Sequence, residues 1–286
     1  MMRFSLLTKL VLLNALAVCA HTEARSELKV DEARRARRLT NMRKSAAQLK
    51  IYSGDDREHP MQLLDKPVLR WANPENTAKD GTVFLWTRRG RPLAMLQLFT
   101  YDDEHFSHEW QSLDRGPLTA TRGQEVEWSP EEPGVEFTAL TDVEPPAAIA
   151  AARLRQMKIL AARFTSTHVG FTENQTPVEL RLLPQPLYRY EPDRETPDLV
   201  DGALFAFVQG TDPQSLLILE ARRDGEKIGW HFAFARMASG AVAARYQGRE
   251  VFSVPKYDFQ RRDPRRPYYL LANQPAPEIE ESPKSE

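Results

Sequence analysis

The sequence predicts an α+β fold built twice. Each copy is one helix followed by an antiparallel β-meander, giving two curved sheets that lie side by side or pack on each other. Two observations predict this. First, ARRLTNMRKSAAQL (Ala36–Leu49) aligns without a gap on AARLRQMKILAARF (Ala151–Phe164), with Ala36/Ala151, Arg38/Arg153, Leu39/Leu154, Met42/Met157, Ala46/Ala161 and Ala47/Ala162 identical. Second, strand-like phrases recur afterwards in the same order. PVLRW (Pro67–Trp71) answers PLYRY (Pro186–Tyr190), and DGTVF (Asp80–Phe84) answers DGALF (Asp201–Phe205). Pro92/Pro213, Leu96/Leu217 and Leu98/Leu219 follow at the same 121-residue spacing as that second pair. GQEV (Gly123–Val126) then answers GREV (Gly248–Val251) at 125, so the second copy has gained four residues, and Asp224–Lys227 is the natural place for them.

Taken in chain order, residues 1–20 read as a secretory signal. Arg3 and Lys9 flank an apolar run, and Val18-Cys19-Ala20 offers small residues for cleavage near Ala20. The run is short of the roughly 20 apolar residues that a spanning helix needs. Export to the periplasm or beyond is the expectation, with an uncleaved anchor or lipidation at Cys19 as alternatives. Cys19 is the only cysteine. A chain cleaved after Ala20 therefore has no disulfide, thiolate nucleophile or cysteine metal site.

The first repeat is expected over 21–130. Its helix, Glu23–Lys50, carries Ala36, Leu39, Met42, Ala46 and Leu49 at three- and four-residue spacing, hence on one face. Arg34, Arg35, Arg37, Arg38, Arg43 and Lys44 fall beside or opposite that stripe. Such a cationic face allows membrane contact. The second copy keeps the stripe but carries Ile159 and Leu160 at the positions of Lys44 and Ser45, which favours packing and a more buried second helix. Period-two patterning then places strands at Pro67–Trp71, Thr82–Thr87, Leu93–Thr100, Phe106–Leu113, Leu118–Arg122 and Glu125–Trp128. An acidic, proline-containing linker is expected at 131–145 and the second repeat at 146–257. Its runs Leu204–Val208 and Leu216–Leu219 are almost continuously apolar, as in strands covered on both faces. Their counterparts include Trp86 and Gln97, which suggests that the second copy is the more central one. Residues 258–286, basic around Arg261–Arg266 and then acidic and proline-rich, read as a largely disordered tail.

The phrases ELRLLPQPLYRYE (Glu179–Glu191) and DGALFAFVQGTDPQSLLILEARR (Asp201–Arg223) resemble an uncharacterised family of exported proteins of planctomycete bacteria. The resemblance spans most of the mature chain. It implies an envelope location and brings no activity and no functional residues with it.

Charge is balanced, 39 basic against 40 acidic residues, which argues against broad capture of nucleic acid. No GxGxxG, GxxxxGK or GxSxG phrase is present, so no cofactor is expected. The candidate ligand-binding residues are Arg70 and Arg189, which hold the same place in both copies, with Tyr188, Trp230 and His231. Each arginine can instead pair with Asp80 or Asp201 and pin a strand to a turn. Glu104, His105 and His108 are the weak alternative for a metal. Alternation on a strand points the two histidines apart. Trp71, Trp86, Trp110, Trp128, Tyr188 and Tyr190 form either an outward aromatic platform or core. A non-enzymatic exported binding or structural protein is the leading expectation, its partner an envelope protein or a small ligand and the cleft between copies its natural place. A hydrolase using carboxylates and histidines, or a peripheral membrane factor, is the alternative.

Overall fold

The computed structural model describes residues 30–73, 78–102, 104–170, 176–190, 196 and 198–275. The expected signal segment, residues 23–29 of the first helix and the acidic end of the tail lie outside them. In the first repeat, α1 (30–47) is followed by β1 (Leu49–Ser53), β2 (Gln62–Leu63), β3 (Leu69–Asn73), β4 (Ala78–Arg88), β5 (Arg91–Thr100), β6 (His105–Ser112), β7 (Leu118–Arg122) and β8 (Glu125–Trp128). Next come β9 (Thr138–Leu140), α2 (Ala150–Ala161), β10 (Phe164–Val169), β11 (Val178–Glu179), β12 (Arg181–Leu182) and β13 (Tyr188–Arg189). The meander of the second repeat is β14 (Leu199–Gln209), β15 (Asp212–Asp224), β16 (Lys227–Arg236), β17 (Ala241–Tyr246) and β18 (Arg249–Val254), and β19 (Tyr268–Pro275) follows.

Both copies therefore share one element order, except that the second has an additional two-residue strand, β11. The matched phrase folds as a helix each time, as its Ala, Leu, Met, Arg and Gln content favours. Both helices stop earlier than the apolar stripe suggests. Leu49 and Phe164 open β1 and β10, yet each stays buried because the first strand continues onto the same core. The buried side of α1 is Arg38, Asn41, Met42, Ser45 and Ala46, with Ala36 exposed. Arg38 thus faces inward with its counterpart Arg153, and α2 is the more buried helix, although Ile159 itself is 53% exposed.

Each repeat forms a large and a small antiparallel sheet. One six-stranded sheet runs β19-β6-β5-β4-β2 with β3 also on β4, and the other runs β12-β14-β15-β16-β9 with β13 also on β14. The small sheets are β1-β7-β8 and β11-β10-β17-β18. The β4–β5 hairpin turns through Arg89 and Gly90, both at positive φ, the two-residue turn that matches strand twist. Part of the extra length in the second copy lies in the β15–β16 hairpin: Ala94 pairs with Ser112, whereas the equivalent Ser215 pairs with Arg236.

Alternation sorts the core into three layers. On the inner faces of the large sheets, Val83, Leu85 and Met95 pack with Leu204, Ala206, Leu216 and Ile218 in one shared core. The outer face of the first sheet (Phe84, Trp86, Leu96, Leu98, Trp110) covers Met42 and Ala46 of α1 and Trp128 of β8. Its counterpart (Phe205, Phe207, Leu217, Phe234) covers Met157 and Leu160 of α2. Both large sheets are covered on both faces, so neither copy is the central one, and Trp86, Trp110 and Trp128 are core rather than platform.

Two segments expected outside the folded units belong to the sheets. The linker supplies β9, which pairs with β16 of the second repeat. The expected disordered tail supplies β19, which pairs with β6 of the first. Charge and proline around TAL and YYLL masked two short β-forming phrases whose partners are far away in sequence. The segment after each repeat thus completes the large sheet of the other.

Repeated Asp-Gly pairs lock β3 and β13 in place. Gly81 and Gly202 lie under the rings of Trp71 and Tyr190, where a Cβ would come within 2.1 and 2.6 Å of ring carbons. Only glycine admits the aromatic residue of the neighbouring strand there.

Candidate functional site

The sandwich has two pseudo-equivalent ends, each carrying the hairpin tip of one repeat against the other. At the first, Tyr188 donates to the carbonyl of Gly90 (2.9 Å), and Arg91 Nε reaches Glu220 Oε1 at 3.0 Å. Arg222 also pairs with Glu220 and lies over the Phe137 ring, 3.8 Å from its centroid. Two guanidiniums on one buried carboxylate close this end. At the second, Thr211 donates to the carbonyl of Ala72 (2.9 Å), and Asn73 donates to Asp212 (3.3 Å). Beside them the sheets part into a cleft of about 760 Å³.

A hydrogen-bonded chain crosses the cleft wall. Trp71 Nε1 donates to Gln97 Oε1 (3.0 Å), Gln97 Nε2 donates to Glu109 Oε2 (2.8 Å), and Tyr268 OH donates to Glu109 Oε1. Strand geometry sets this up: Gln97 and Glu109 are cross-strand partners on the inner faces of β5 and β6, and Tyr268 comes from the exchanged strand β19. The equivalent pair in the second repeat is Ile218 with Ala233. One repeat thus places an amide and a carboxylate where the other is apolar.

Electrostatics mark the same residue. Burial pushes the Glu109 carboxyl up to about 7, against the hydrogen bonds from Tyr268 and Gln97 and the charge of Arg236, which pull it down. Burial also raises the Tyr101 hydroxyl, with Glu109 and Asp212 adding to the shift. His168, which lines the cleft too, is lowered by burial and by Arg236 and Lys256, while a hydrogen bond with Gln209 opposes this.

Glu109→Gln is expected to gain stability relative to the natural protein as pH rises from about 4.5 to 8. Below about 4.5 the carboxyl is protonated in folded and unfolded chains alike. Between 4.5 and about 7 the unfolded chain releases the proton while the folded chain keeps it, so stability falls with rising pH. Above that range the full cost is present, about 3 kcal/mol at roughly 1.4 kcal/mol per pH unit. Urea denaturation of both proteins at pH 4.5 and pH 8 measures it. A difference that does not change with pH would contradict the uncompensated burial of this carboxyl.

None of the candidate ligand or metal residues lines the cleft, and of the aromatic set singled out from sequence Trp71 alone does. Arg70 donates to both oxygens of Asp80 and to the carbonyl of Arg35 in α1 (2.6 Å to the carbonyl). Arg189 does the same with Asp201 and the carbonyl of Ala150 at α2 (2.6 Å to the carbonyl). Each ties strand to helix rather than strand to turn. Trp230 is in the outer core, and His231 sits between Glu220 and Ala139 across the sheet, with its pKa lowered by burial and by Arg222.

The histidines of β6 diverge. His105 pairs with Asp102 near the surface (3.2 Å), while His108 lies on the outer face with Phe106 and Trp110, where burial and the charge of Arg122 hold it at about 4. Among the described residues no group of three or more His, Cys, Asp or Glu is gathered for a metal. The cleft-facing residues of that segment, Ser107 and Glu109, flank His108 and share the alternation phase of His105, which lies beyond the cleft. Copy-to-copy comparison at inward positions could have found them, because Gln97 and Glu109 break an otherwise apolar match.

Among the described residues no helix is long and apolar enough to cross a membrane. No protein-family model, no curated protein and no solved structure matches the chain.

Proposed function

We propose that the chain is an exported, non-enzymatic binding protein that takes a small ligand in the cleft between its two repeats. The observation that carries this is the asymmetry of the two ends. One is closed by Arg91, Glu220 and Arg222, and the other opens into about 760 Å³ lined by inward polar residues that the second repeat lacks. That volume lies within the ordinary range of small-molecule sites, roughly 300–1,000 Å³. The apolar leader with small residues before Ala20 supports export, and predicts a mature chain beginning at His21.

The test is a small-molecule library screened by thermal shift against the natural protein and Ser239→Trp, whose side chain would fill the cleft. Hits that stabilise the natural protein and are lost in the variant support the reading. Absence of hits, or hits indifferent to Ser239→Trp, would overturn it. An envelope hydrolase is the second reading, favoured by Glu109, since a carboxyl near 7 can both give and take a proton at neutrality. Turnover of a bound compound that stops in Glu109→Gln would establish that reading instead.

A further inference from the structure

The cleft differs from its closed counterpart in what surrounds its buried carboxylate. Glu220 has two arginines. Glu109 is 3% exposed, and its two hydrogen-bond donors, Tyr268 and Gln97, are both neutral. The guanidinium whose charge acts on it is that of Arg236, whose donors go to the carbonyls of Ala238, Pro255 and Gly240 and whose charge lies over the Tyr268 ring, 4.4 Å from its centroid.

The cleft lining points the same way. Among the described residues it includes the carboxylates of Glu109 and Asp212 and no lysine or arginine. His168 in the lining is held toward its neutral form by burial and by the charges of Arg236 and Lys256. One wall is aromatic: Trp71 and Phe99 have ring centroids 6.0 Å apart, and Phe99 meets Tyr101 edge-on at 5.7 Å. Ring faces attract a cation, more strongly when it is desolvated. A buried carboxylate whose hydrogen-bond donors are both neutral gains most from a ligand that brings a positive charge into contact with it.

We propose that the ligand is an organic cation, a protonated amine or quaternary nitrogen on an apolar body, with its charge set against Glu109 and the Trp71–Phe99–Tyr101 wall. This rests on the cleft being the binding site. A cation that binds the ionised carboxylate displaces its proton, so affinity rises with pH from about 6 to 8, and binding releases protons.

The experiment is calorimetric titration at pH 6 and pH 8 with phenethylamine, benzyltrimethylammonium, 2-phenylethanol and phenylacetate. The two cations are expected to bind at least about tenfold more tightly than 2-phenylethanol, with phenylacetate weakest and the preference greater at pH 8. Glu109→Gln, shown to be folded by circular dichroism, is expected to erase the preference. Equal binding of the neutral or anionic probe, or a preference that survives in Glu109→Gln, overturns the inference and leaves the cleft reading standing. If no probe binds, the inference falls, and the library hits sensitive to Ser239→Trp decide separately whether the cleft reading falls with it.

Discussion

A chain ending at Pro267 is expected to lose the fold of the first repeat, because Tyr268–Pro275 is part of its large sheet. Removing β19 leaves the backbone of β6 unpaired along an edge that is covered in the full chain. Tyr268 and Leu270, each 6% exposed, leave the shared core. Burial of side chains of this size contributes about 1.5–3 kcal/mol apiece. Glu109 also loses the hydroxyl that donates to it, and a buried polar group left without its partner costs about 1–3 kcal/mol. Together these losses approach the whole stability of an ordinary domain, about 5–15 kcal/mol. Thermal melts and size-exclusion chromatography measure the outcome. A truncated chain that melts within a few degrees of the full one would show that β19 is peripheral.

Asp201→Ala is expected to destabilise by about 3–5 kcal/mol, the usual cost of removing one side of a buried ion pair. Asp201 is 2% exposed and accepts from Arg153 Nε (2.8 Å), from Arg189 Nη2 (2.8 Å) and Nε (3.2 Å), and from the amide of Gly202 (3.0 Å). The variant leaves Arg153, 7% exposed, with a buried charge and only the carbonyls of Ala147 and Ala148. Urea denaturation of the variant, and of Arg153→Met/Asp201→Leu, separates the pair from its desolvation. The double substitution should recover much of the loss, since an apolar pair of similar volume avoids the buried charge. A loss below about 1 kcal/mol for Asp201→Ala would mean that helix and sheet are joined by packing alone.

The duplicated helix and meander were legible because they rest on local signals. Apolar spacing, Asp-Gly pairs and turn glycines recur in the sequence in the order in which the elements recur in space. Strand partners over long distances are not local signals, which is why β9 read as linker and β19 as tail. Arg38 and Arg153 are visible in the sequence as an identity, and charge alone places Arg38 beside or opposite the apolar stripe. The burial of Arg153 is matched by a carboxylate, Asp201, that lies 48 residues away. At the cleft, Glu109 stands one residue after His108, in a segment whose imidazoles are the more conspicuous signal. The face that β6 turns inward is set by the second repeat packed against it, and one strand cannot announce that.

The reciprocal loan of edge strands has a consequence for how such a molecule can vary. Were the two repeats separate, identical chains paired about a twofold axis, every substitution would appear at both ends at once, and a lock at one would be a lock at the other. Joined in one chain, each end answers to its own codons. Arg91 and Asp212, which occupy matching places at the two hairpin tips, have taken opposite charges. One seals its end onto Glu220, and the other stands at an opening. Covalent linkage thus freed one mouth of a symmetric body to specialise while its twin kept the two sheets clasped.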